Sequence, residues 1–413
     1  MDKRNRVVIT GMGVLAPNGI GLEEFWRSLL EGRSGVGPIT LFDASTFESR
    51  IAGEVKDFDP RDYMPAELKP RRMARHTQLA YAATMLALTD AGLDPADLSL
   101  PSPTPVVIGV STSALDVIER VFHDVTERNP NRVGPFELAA SKPQAAANLI
   151  ADHLGTAADA TTVSSACPSG LDAIAMAAAM IMRGEAEFAV AGGADAPITP
   201  LAMASFIASG LSSSRNDNPE TASRPFDLTR DSGVISEGAG ILILENLERA
   251  EARGARIYME VSGYGTQRDL DPKQPASGLE FSMQLALSNA GCAPEDIDYI
   301  SAYGPGHPYL DAAEIRVIKK VFGKHAHSIP VSSIKGVTGN ALAAGGPFQI
   351  ISCALSIRDQ MIAPTSNYGV ADPLCDLDIV PNRPRKGRVK RALVNVRGLG
   401  GTASSMVFKR LAA

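Results

Sequence analysis

The sequence predicts an α/β fold, built either as two packed halves or as one large duplicated domain. Apolar runs typical of buried strands alternate along the chain with segments that have helical periodicity. The length of 413 residues exceeds what one simple core holds, and 45% hydrophobic with 21% charged residues is a globular composition. No clear internal sequence repeat is visible, so a duplication does not follow from the sequence itself.

Strands are predicted where short runs rich in Val, Ile and Leu are bounded by glycine, proline or polar residues. They lie at 6–10, 105–110, 160–163, 188–191, 241–244, 257–263, 297–302, 328–332, 391–396 and 404–409. Helices are predicted over longer alanine-rich or amphipathic segments. They lie at 22–30, 75–91, 141–154, 169–182, 279–290, 311–322 and 342–357. This alternation places helices on both faces of the sheets.

The helix at 169–182 consists almost entirely of Ala, Met and Ile and has few polar residues on any face. Such a helix is expected in the middle of the molecule, which indicates a layered arrangement of helices and sheets.

Charge and cysteine spacing exclude several classes of protein. A net charge of -6 and a pI of about 5.6 give no support for nucleic-acid binding. No apolar run reaches the ~18 residues that span a bilayer, and no secretory cleavage site follows the N-terminus. The four cysteines are far apart, which argues against a zinc site or disulfides and favours a reducing cytoplasm. No metal is expected.

Cys167 lies where a predicted strand stops and a helix starts, between small neighbours that leave room for a substrate. Pro168 suits the first turn of a helix. A thiol at a helix N-terminus is expected to have a lowered pKa, and the sharp turn is that of a nucleophile elbow. The alternative is a buried cysteine that only packs under a core helix.

Several motifs together resemble the elongating β-ketoacyl-acyl-carrier-protein synthases, which share the thiolase fold. They are Val8-Ile9-Thr10-Gly11-Met12-Gly13, Ser165-Ala166-Cys167, Ser214-Arg215-Asn216-Asp217-Asn218-Pro219, Ser223-Arg224-Pro225-Phe226-Asp227, Glu237-Gly238-Ala239-Gly240, Asp372-Pro373, Cys375-Asp376-Leu377-Asp378 and Pro381-Asn382. The resemblance implies an N-terminal half, 1–250, with the nucleophile Cys167. It implies a C-terminal half, 251–413, with the positions of two catalytic histidines and a closing glycine loop.

Both histidine positions depart from that family. The segment that resembles Asn-Ala-His-Gly-Thr holds Tyr303 at the first, and the segment that resembles Lys-x-x-x-Gly-His holds Asn340 at the second. Pro305 and His307 replace two threonines that usually contact the phosphopantetheine arm, Gln349 replaces a glutamate, and Leu399 replaces the gating phenylalanine. Lys335, Asp311 and Glu314 are retained.

The resemblance implies the role of each site residue. Cys167 takes an acyl group, and Tyr303, Asn340 and Lys335 complete the catalytic set. The backbone N–H groups of Cys167 and Leu399 form the oxyanion hole. Gly400, Gly401 and His307 are the candidate substrate-binding residues. For His307, which departs from the family, the alternative is a histidine that only lies at the surface or at the mouth of the site. No cofactor is implied, because the substrate travels on the phosphopantetheine of a carrier protein.

The partners that the resemblance implies are an acidic acyl carrier protein and a second ketosynthase subunit, in a homodimer or a heterodimer. The basic residues Lys69, Arg71 and Arg72 are the candidate docking site, because they form a cationic segment in an acidic chain. The alternative is a solvated basic helix start.

Three functions are open at this level. The chain is an acyltransferase of the fatty-acid or polyketide pathways that loads Cys167 but has altered or lost decarboxylative condensation. Alternatively, it is a non-catalytic partner, like the chain-length factor of a ketosynthase heterodimer. In the third, Tyr303 and Asn340 suffice for ordinary condensation.

Overall fold

The computed structural model describes residues 6–94, 100–101, 103–156, 159–270 and 276–411. Within these ranges the helices are α1 (Leu22–Glu31), α2 (Arg75–Asp90), α3 (Leu115–His123), α4 (Glu137–Ala140), α5 (Ala145–Leu154), α6 (Ser169–Met182), α7 (Pro200–Ala208), α8 (Leu247–Ala252), α9 (Ser277–Ala290), α10 (Pro308–Phe322), α11 (Lys335–Thr338) and α12 (Gly345–Asp359). The strands are β1 (Val7–Ala16), β2 (Gly19–Ile20), β3 (Val36–Pro38), β4 (Ile51–Gly53), β5 (Val106–Gly109), β6 (Ala160–Val163), β7 (Phe188–Asp195), β8 (Gly238–Asn246), β9 (Met259–Arg268), β10 (Tyr299–Ser301), β11 (Val331–Ser332), β12 (Met361–Ile362), β13 (Arg385–Lys386), β14 (Arg391–Arg397) and β15 (Thr402–Lys409).

The main sheet consists of two half-sheets with the same topology. Its order is β11-β10-β14-β15-β9-β1-β8-β7-β5-β6, with β2 added to β1. The five strands of the first half are, in chain order, β1, β5, β6, β7 and β8, and those of the second half are β9, β10, β11, β14 and β15. If each set is numbered one to five, both halves have the order 3-2-4-5-1 from the outer edge of the sheet to its centre. In both halves the three outermost strands pair in parallel, and the next strand inward, β8 or β15, pairs antiparallel with both of its neighbours. The structure thus shows a duplicated topology that the sequence does not reveal.

Among the described residues, the two half-sheets join where β1 pairs with β9, through Val7–Ile9 and Met259–Val261. Helices α6 and α12 lie between the half-sheets and pack on strands of both. Helices α2 and α5 cover the outer face of the first half, and α9 covers that of the second, with α10 beside it. The largest apolar cluster surrounds α6 and α12, and smaller clusters lie under the outer helices. The predicted burial of the 169–182 helix is therefore confirmed.

Strand β1 extends to Ala16, whereas the sequence predicts its end at 10. Gly11 and Gly13, which follow the predicted strand, are part of β1, which has a bulge between Ile9 and Gly11. A Cβ on Gly11 would lie 2.3 Å from the carbonyl oxygen of Ala87, and one on Gly13 would lie 1.9 Å from that of Ala83. The two glycines are needed because α2 crosses the strand at backbone contact.

Several elements were missed by the sequence prediction. Helices α3, α7 and α8 are among them, and so is the β3–β4 hairpin. Two- or three-residue strands and a helix of six residues, such as α8, are too short to give a periodic signal, which explains part of these misses.

Candidate functional site

Cys167 lies in a sharp turn between β6 and α6. Ala166 adopts a left-handed conformation with φ of 66°, which a residue with a Cβ rarely adopts. The hydroxyl of Ser169 holds this turn by accepting a hydrogen bond of 2.8 Å from the N–H of Ser165. The predicted elbow is therefore present, and its strained residue directly precedes the thiol.

The second half of the chain meets this turn at backbone contact. A Cβ on Gly170 would lie 2.1 Å from the carbonyl oxygen of Ala343, and one on Gly193 would lie 2.3 Å from it. The buried carboxylate of Asp195 accepts hydrogen bonds from the N–H groups of Thr112 (2.8 Å) and Ala343 (2.9 Å). These contacts fix the segment that carries the second-half site residues against the start of α6.

Tyr303, in the second half of the chain, contacts the thiol. Its hydroxyl donates toward Sγ of Cys167 over 3.8 Å, and both side chains are 6% exposed. Burial raises the pKa of Tyr303 well above its usual value, and the neighbouring Cys167 raises it further. The phenol therefore stays protonated and acts as a neutral donor.

The retained acids hold the backbone around Tyr303 rather than the thiol. Glu314 accepts hydrogen bonds from the N–H groups of Tyr303 (2.9 Å) and Gly304 (2.8 Å). Asp311 accepts from those of Gly306 (3.1 Å) and His307 (3.2 Å). Burial raises the pKa of both acids, that of Asp311 to about 7.

Lys335 lies behind Tyr303 and does not line the space around the thiol. Its Nζ is 4.7 Å from the centroid of the Tyr303 ring and donates to Oε1 of Gln349 over 3.3 Å. The amide of Gln349 in turn donates to the carbonyl oxygen of Ala302 over 2.8 Å. Burial lowers the pKa of Lys335 to about 8, although the negative charges of Glu314 and the Cys167 thiolate act to raise it. The ammonium is thus mostly protonated at neutral pH and loses its charge in mildly alkaline solution.

Two backbone hydrogen bonds hold Asn340 in place, and its side chain faces the thiol pocket. Its N–H donates to the carbonyl oxygen of Val234 over 2.7 Å, and its own carbonyl accepts from the N–H of Ser236 over 3.1 Å. A hydrogen bond from the side chain of Asn340 favours the ionised form of Tyr303 and so partly opposes its raised pKa. Oδ1 of Asn340 is buried and has no hydrogen-bond partner among the described residues.

A cavity of about 250 Å³ opens beside the thiol. It is lined by Cys167, Phe206, Leu211, Ser232, Gly233, Ile235, Tyr303, Pro305, His307, Leu310, Asn340, Leu342, Arg397 and the closing loop, residues 398–401. The predicted site residues Cys167, Tyr303, Asn340, His307, Leu399, Gly400 and Gly401 therefore meet in one place. Leu399 is 59% exposed at the edge of this cavity.

The closing loop rests on the nucleophile turn. A Cβ on Gly398 would lie 2.8 Å from Cδ of Pro168, 2.9 Å from Cβ of Ala166 and 3.3 Å from the N atom of Cys167. The loop can approach so closely only because residue 398 has no side chain. Gly400 and Gly401 have φ values of 82° and 85°, which favour glycine.

The prediction of a lowered thiol pKa is wrong for this resting site. Burial raises the pKa of Cys167 above its usual value, and the charge of Asp195 adds to this rise. The hydrogen bond from Tyr303 and the positive charge of Lys335 oppose the rise without reversing it. Desolvation of the buried thiol thus outweighs the contribution expected from the helix start.

Family comparisons cover most of the chain. Residues 4–250 match the family described as beta-ketoacyl synthase, N-terminal domain, and residues 252–369 match beta-ketoacyl synthase, C-terminal domain. The chain belongs to the beta-ketoacyl synthase family.

Relatives of this synthase family match over the full length. The chain is 40% identical to 3-oxoacyl-(acyl-carrier-protein) synthase 2 of Vibrio harveyi, over 100% of both proteins. A structure titled "The ishigamide ketosynthase/chain length factor" is 34% identical, has a TM-score of 0.91 and covers 99% of this chain and 100% of its own. A type II PKS ketosynthase in complex with its acyl-carrier protein is 33% identical, has a TM-score of 0.90 and covers 98% and 99%. These likenesses confirm the predicted thiolase-like fold.

His307 lines the cavity of this synthase and also caps helix α10. Its Nδ1 accepts hydrogen bonds from the N–H groups of Tyr309 (3.1 Å) and Leu310 (3.4 Å) and so caps α10. Burial lowers the pKa of His307, and the charges of Arg230 and Arg397 lower it further. The ring is therefore neutral at pH 7, and Nε2 is the nitrogen left for the cavity.

Arg397 was missed by the sequence analysis of this synthase. It is the last residue of β14, directly before the closing loop, and it lines the cavity together with Cys167. A cation that directly precedes a predicted oxyanion loop is the signal that could have found it.

The predicted docking residues Lys69, Arg71 and Arg72 are exposed and form the basic surface. They surround the short 3₁₀ helix Pro70–Arg72 that precedes α2. The Arg72 guanidinium lies 4.6 Å and the Lys69 ammonium 5.9 Å from the ring centroid of Phe136, which is half exposed. The surface therefore combines positive charge with an accessible aromatic ring.

The described ranges of this synthase contain neither a candidate membrane span nor a candidate metal cluster. No helix within those ranges is long and apolar enough to span a membrane. In the same ranges, no group of three or more His, Cys, Asp or Glu side chains could hold a metal ion.

Proposed function

We propose that this chain is a ketosynthase-like acyltransferase of fatty-acid or polyketide biosynthesis that forms an acyl thioester on Cys167 and has altered or lost decarboxylative condensation. The observation that carries this proposal is the cavity in which the thiol lies beside Tyr303 and Asn340, two neutral hydrogen-bonding side chains. Family membership adds the chemistry of a cysteine nucleophile and of a thioester substrate.

In the proposed loading step, the Cys167 thiolate attacks the carbonyl carbon of the acyl thioester on a carrier protein. The new C–S bond forms as the carbonyl electrons move to oxygen, and the backbone N–H groups of Cys167 and Leu399 receive that negative charge. Collapse of the tetrahedral intermediate breaks the bond to the phosphopantetheine sulfur, which leaves as a thiolate. The proton lost by Cys167 balances the one that this leaving thiolate takes up.

Tyr303 and Lys335 favour the thiolate without becoming bases. The tyrosine hydroxyl donates toward Sγ, and the Lys335 charge lowers the pKa of the thiol, although burial keeps it raised. Transthioesterification needs little more than this, because the attacking and leaving groups are both thiolates.

Decarboxylative condensation needs more than these two neutral groups supply. Loss of carbon dioxide leaves an enolate, whose charge is stabilised in ordinary members of the family by histidines. Tyr303 keeps its proton at neutral pH because burial raises its pKa, and Asn340 has no titratable group. General acid–base help contributes about 10²–10⁴ in rate, so we expect condensation to be slowed by a factor of that order.

The second candidate function is a non-catalytic partner subunit, like a chain-length factor. The raised pKa of the buried Cys167 favours it, because less of the thiol is in the reactive form at neutral pH. A structural relative also carries a title that names a ketosynthase and a chain length factor.

The proposed partners are an acyl carrier protein, which would dock on the basic surface, and a second ketosynthase subunit in a homodimer or heterodimer. Carrier proteins are acidic, and Lys69, Arg71 and Arg72 present positive charge. The relative solved with its acyl-carrier protein shows that this kind of complex exists for a protein of the same fold.

Intact-mass spectrometry after incubation with acyl-carrier thioesters tests the proposal. We expect the acyl mass on the wild-type chain and on a Cys353→Ala control, since Cys353 is fully buried and outside the cavity. Cys167→Ala should abolish the addition. A wild-type chain left unmodified by several chain lengths would refute the acyltransferase and favour the partner subunit. Carbon dioxide release from malonyl-carrier protein at the rate of an ordinary ketosynthase would instead refute the altered condensation.

A further inference from the structure

Asp172 lies in the first turn of α6, shortly after Cys167, and its carboxylate accepts hydrogen bonds from three hydroxyl groups. The hydroxyl of Ser165 donates to Oδ2. Those of Ser404 (2.6 Å) and Tyr264 (3.0 Å) donate to Oδ1. An ionised carboxylate only accepts hydrogen bonds, so a set of hydroxyl donors suits it.

The hydroxyl donors partly compensate the burial of this carboxylate. Burial raises the pKa of Asp172, and the hydrogen bonds from Ser165, Ser404 and Tyr264 oppose that rise. The Tyr264 hydroxyl keeps its own proton, because burial and the charge of Asp172 raise its pKa. Tyr264 therefore acts as a donor to the carboxylate and not as a base.

The hydroxyl donors come from both halves of the chain. Ser165 belongs to the turn that carries Cys167, whereas Tyr264 is part of β9 and Ser404 is part of β15. These two strands pair with each other in the second half-sheet. The carboxylate of Asp172 thus ties the Cys167 turn to two neighbouring strands of the other half.

Strand β15 begins where the closing loop ends. Gly398 of that loop donates its N–H to the carbonyl oxygen of Thr402, the first residue of β15, over 2.8 Å. Ser404 follows shortly after Thr402 on the same strand, and its side chain is buried. A hydrogen bond that fixes Ser404 therefore also fixes the base of the loop that carries Leu399.

We propose that Asp172 is the positioning residue of the oxyanion hole, because its carboxylate holds the N–H groups of Cys167 and Leu399 at the separation that an oxyanion needs. The proposal rests on the acyltransferase function above for this pair of donors. Such donors stabilise the developing charge only when they are held in place before the reaction, so a small displacement of either one slows acylation.

Two reagents separate the oxyanion hole from the thiol. p-Nitrophenyl acetate acetylates Cys167 through a tetrahedral oxyanion and releases p-nitrophenolate. Methyl methanethiosulfonate forms a mixed disulfide at sulfur, releases methanesulfinate and has no carbonyl group. Apart from burial, the main causes that shift the pKa of the thiol are Tyr303, Asp195 and Lys335. A change at Asp172 should therefore slow only the acetylation.

Peptide mass spectrometry measures both rates at Cys167. Asp172→Asn should slow acetylation about tenfold or more, because the two donors are no longer held in place. It should leave the disulfide reaction within about threefold of the wild-type rate, which corresponds to a small shift of the thiol pKa.

The serine variants test the link from each end and keep the test valid should Asp172→Asn unfold. Ser165→Ala and Ser404→Ala should each slow acetylation more than the disulfide reaction. Their double variant should be slower by less than the product of the two single effects, because both hydroxyls act through one carboxylate.

Asp90→Asn is the matched control. Asp90 is also a partly buried acid whose pKa is raised by burial, and it accepts a hydrogen bond of 2.9 Å from the hydroxyl of Tyr258. It lies at the end of α2 and binds the N–H of Met12, so this change should leave the ratio of the two rates unchanged.

Four results would overturn the proposal. They are equal slowing of both reactions by Asp172→Asn, an acetylation rate that this change leaves unaltered, fully multiplicative effects of the two serine changes, and a wild-type Cys167 that methyl methanethiosulfonate modifies but p-nitrophenyl acetate does not. If acetylation depends on Asp172 but carrier thioesters never load the wild type, only the acyltransferase function fails. If carrier thioesters load Cys167 and Asp172→Asn leaves the ratio unchanged, only the positioning role fails.

Discussion

The hydroxyl of Tyr303 donates toward Sγ of Cys167 over 3.8 Å, and this contact joins the two halves of the chain at the nucleophile. The Nζ of Lys335 lies 4.7 Å from the centroid of the same tyrosine ring. The thiol therefore receives one neutral hydrogen bond directly and one positive charge from behind the donor. The two contributions can be tested separately.

Tyr303→Phe should slow alkylation of Cys167 by iodoacetamide by about 5-fold or more at pH 8, because one hydrogen bond to the thiolate, worth about 1 kcal/mol, is lost. Peptide mass spectrometry measures the rate at this cysteine. Tyr299→Phe is the matched control: its hydroxyl is also buried but shares a hydrogen bond of 2.8 Å with Ser332. Equal effects of the two changes would contradict a specific role for the Tyr303 hydroxyl.

The pH dependence of alkylation should report Lys335. Its pKa of about 8 means that it is charged below pH 8 and neutral above, so its stabilisation of the thiolate is present at neutral pH and lost as the pH rises. Lys335→Met lacks that charge at every pH. The wild-type rate should therefore exceed the variant rate most below pH 8, and the ratio should shrink above it.

Alkylation rates from pH 6.5 to 9.5 give this ratio, with thermal unfolding as the check on folding. Lys386→Met, at an exposed position, is the control and should leave the profile unchanged. A ratio of the two rates that stays constant over the whole range would exclude electrostatic support by Lys335.

The sequence predicts the local structure around Cys167 better than the electrostatics of its thiol. β6 and α6 have the predicted bounds, because a helix of small apolar residues directly after a short strand gives a strong local pattern. The thiol pKa was predicted in the wrong direction, because the position of Cys167 in a closed cavity depends on residues more than 100 positions away, such as Tyr303. The local sequence shows that Cys167 lies at the start of a helix, but it does not show that the thiol is desolvated.

The same limit applies to Arg397 and to the sheet. The cavity position of Arg397 follows from the pairing of β14 between β10 and β15, which no local pattern specifies. The shared topology of the half-sheets is likewise visible only in the strand order, since the two halves show no clear sequence repeat. The division of the chain at residue 250 stays a prediction.

Gly398→Ala should reduce acylation of Cys167 by at least about tenfold, because the added Cβ would collide with Ala166 and Pro168 and displace the closing loop from the nucleophile. The φ of Gly398 is −108°, so alanine adds no backbone strain and the effect comes from contact alone. Acylation rate and melting temperature are the measurements.

Gly345→Ala is the control for this change, because a Cβ there meets nothing within 4 Å. It should leave the acylation rate unchanged. Normal acylation of the Gly398→Ala variant would show that the closing loop does not supply the oxyanion donor.

The last prediction concerns the basic surface formed by Lys69, Arg71 and Arg72. Reversing two of its charges, Arg71→Glu with Arg72→Glu, should weaken binding of an acidic carrier protein by about tenfold or more at low salt, because attraction becomes repulsion. Added salt should weaken the wild type in the same way, since exposed charges are screened.

Lys386→Glu with Arg388→Glu makes the same change of net charge at exposed positions elsewhere. This control should weaken carrier-protein binding less than the change at Arg71 and Arg72. The two double variants have the same net charge, so a difference between them can come only from a local docking site. Equal weakening by both double variants would indicate a nonspecific effect of net charge. An affinity that neither charge reversal nor salt alters would place the docking site on another surface.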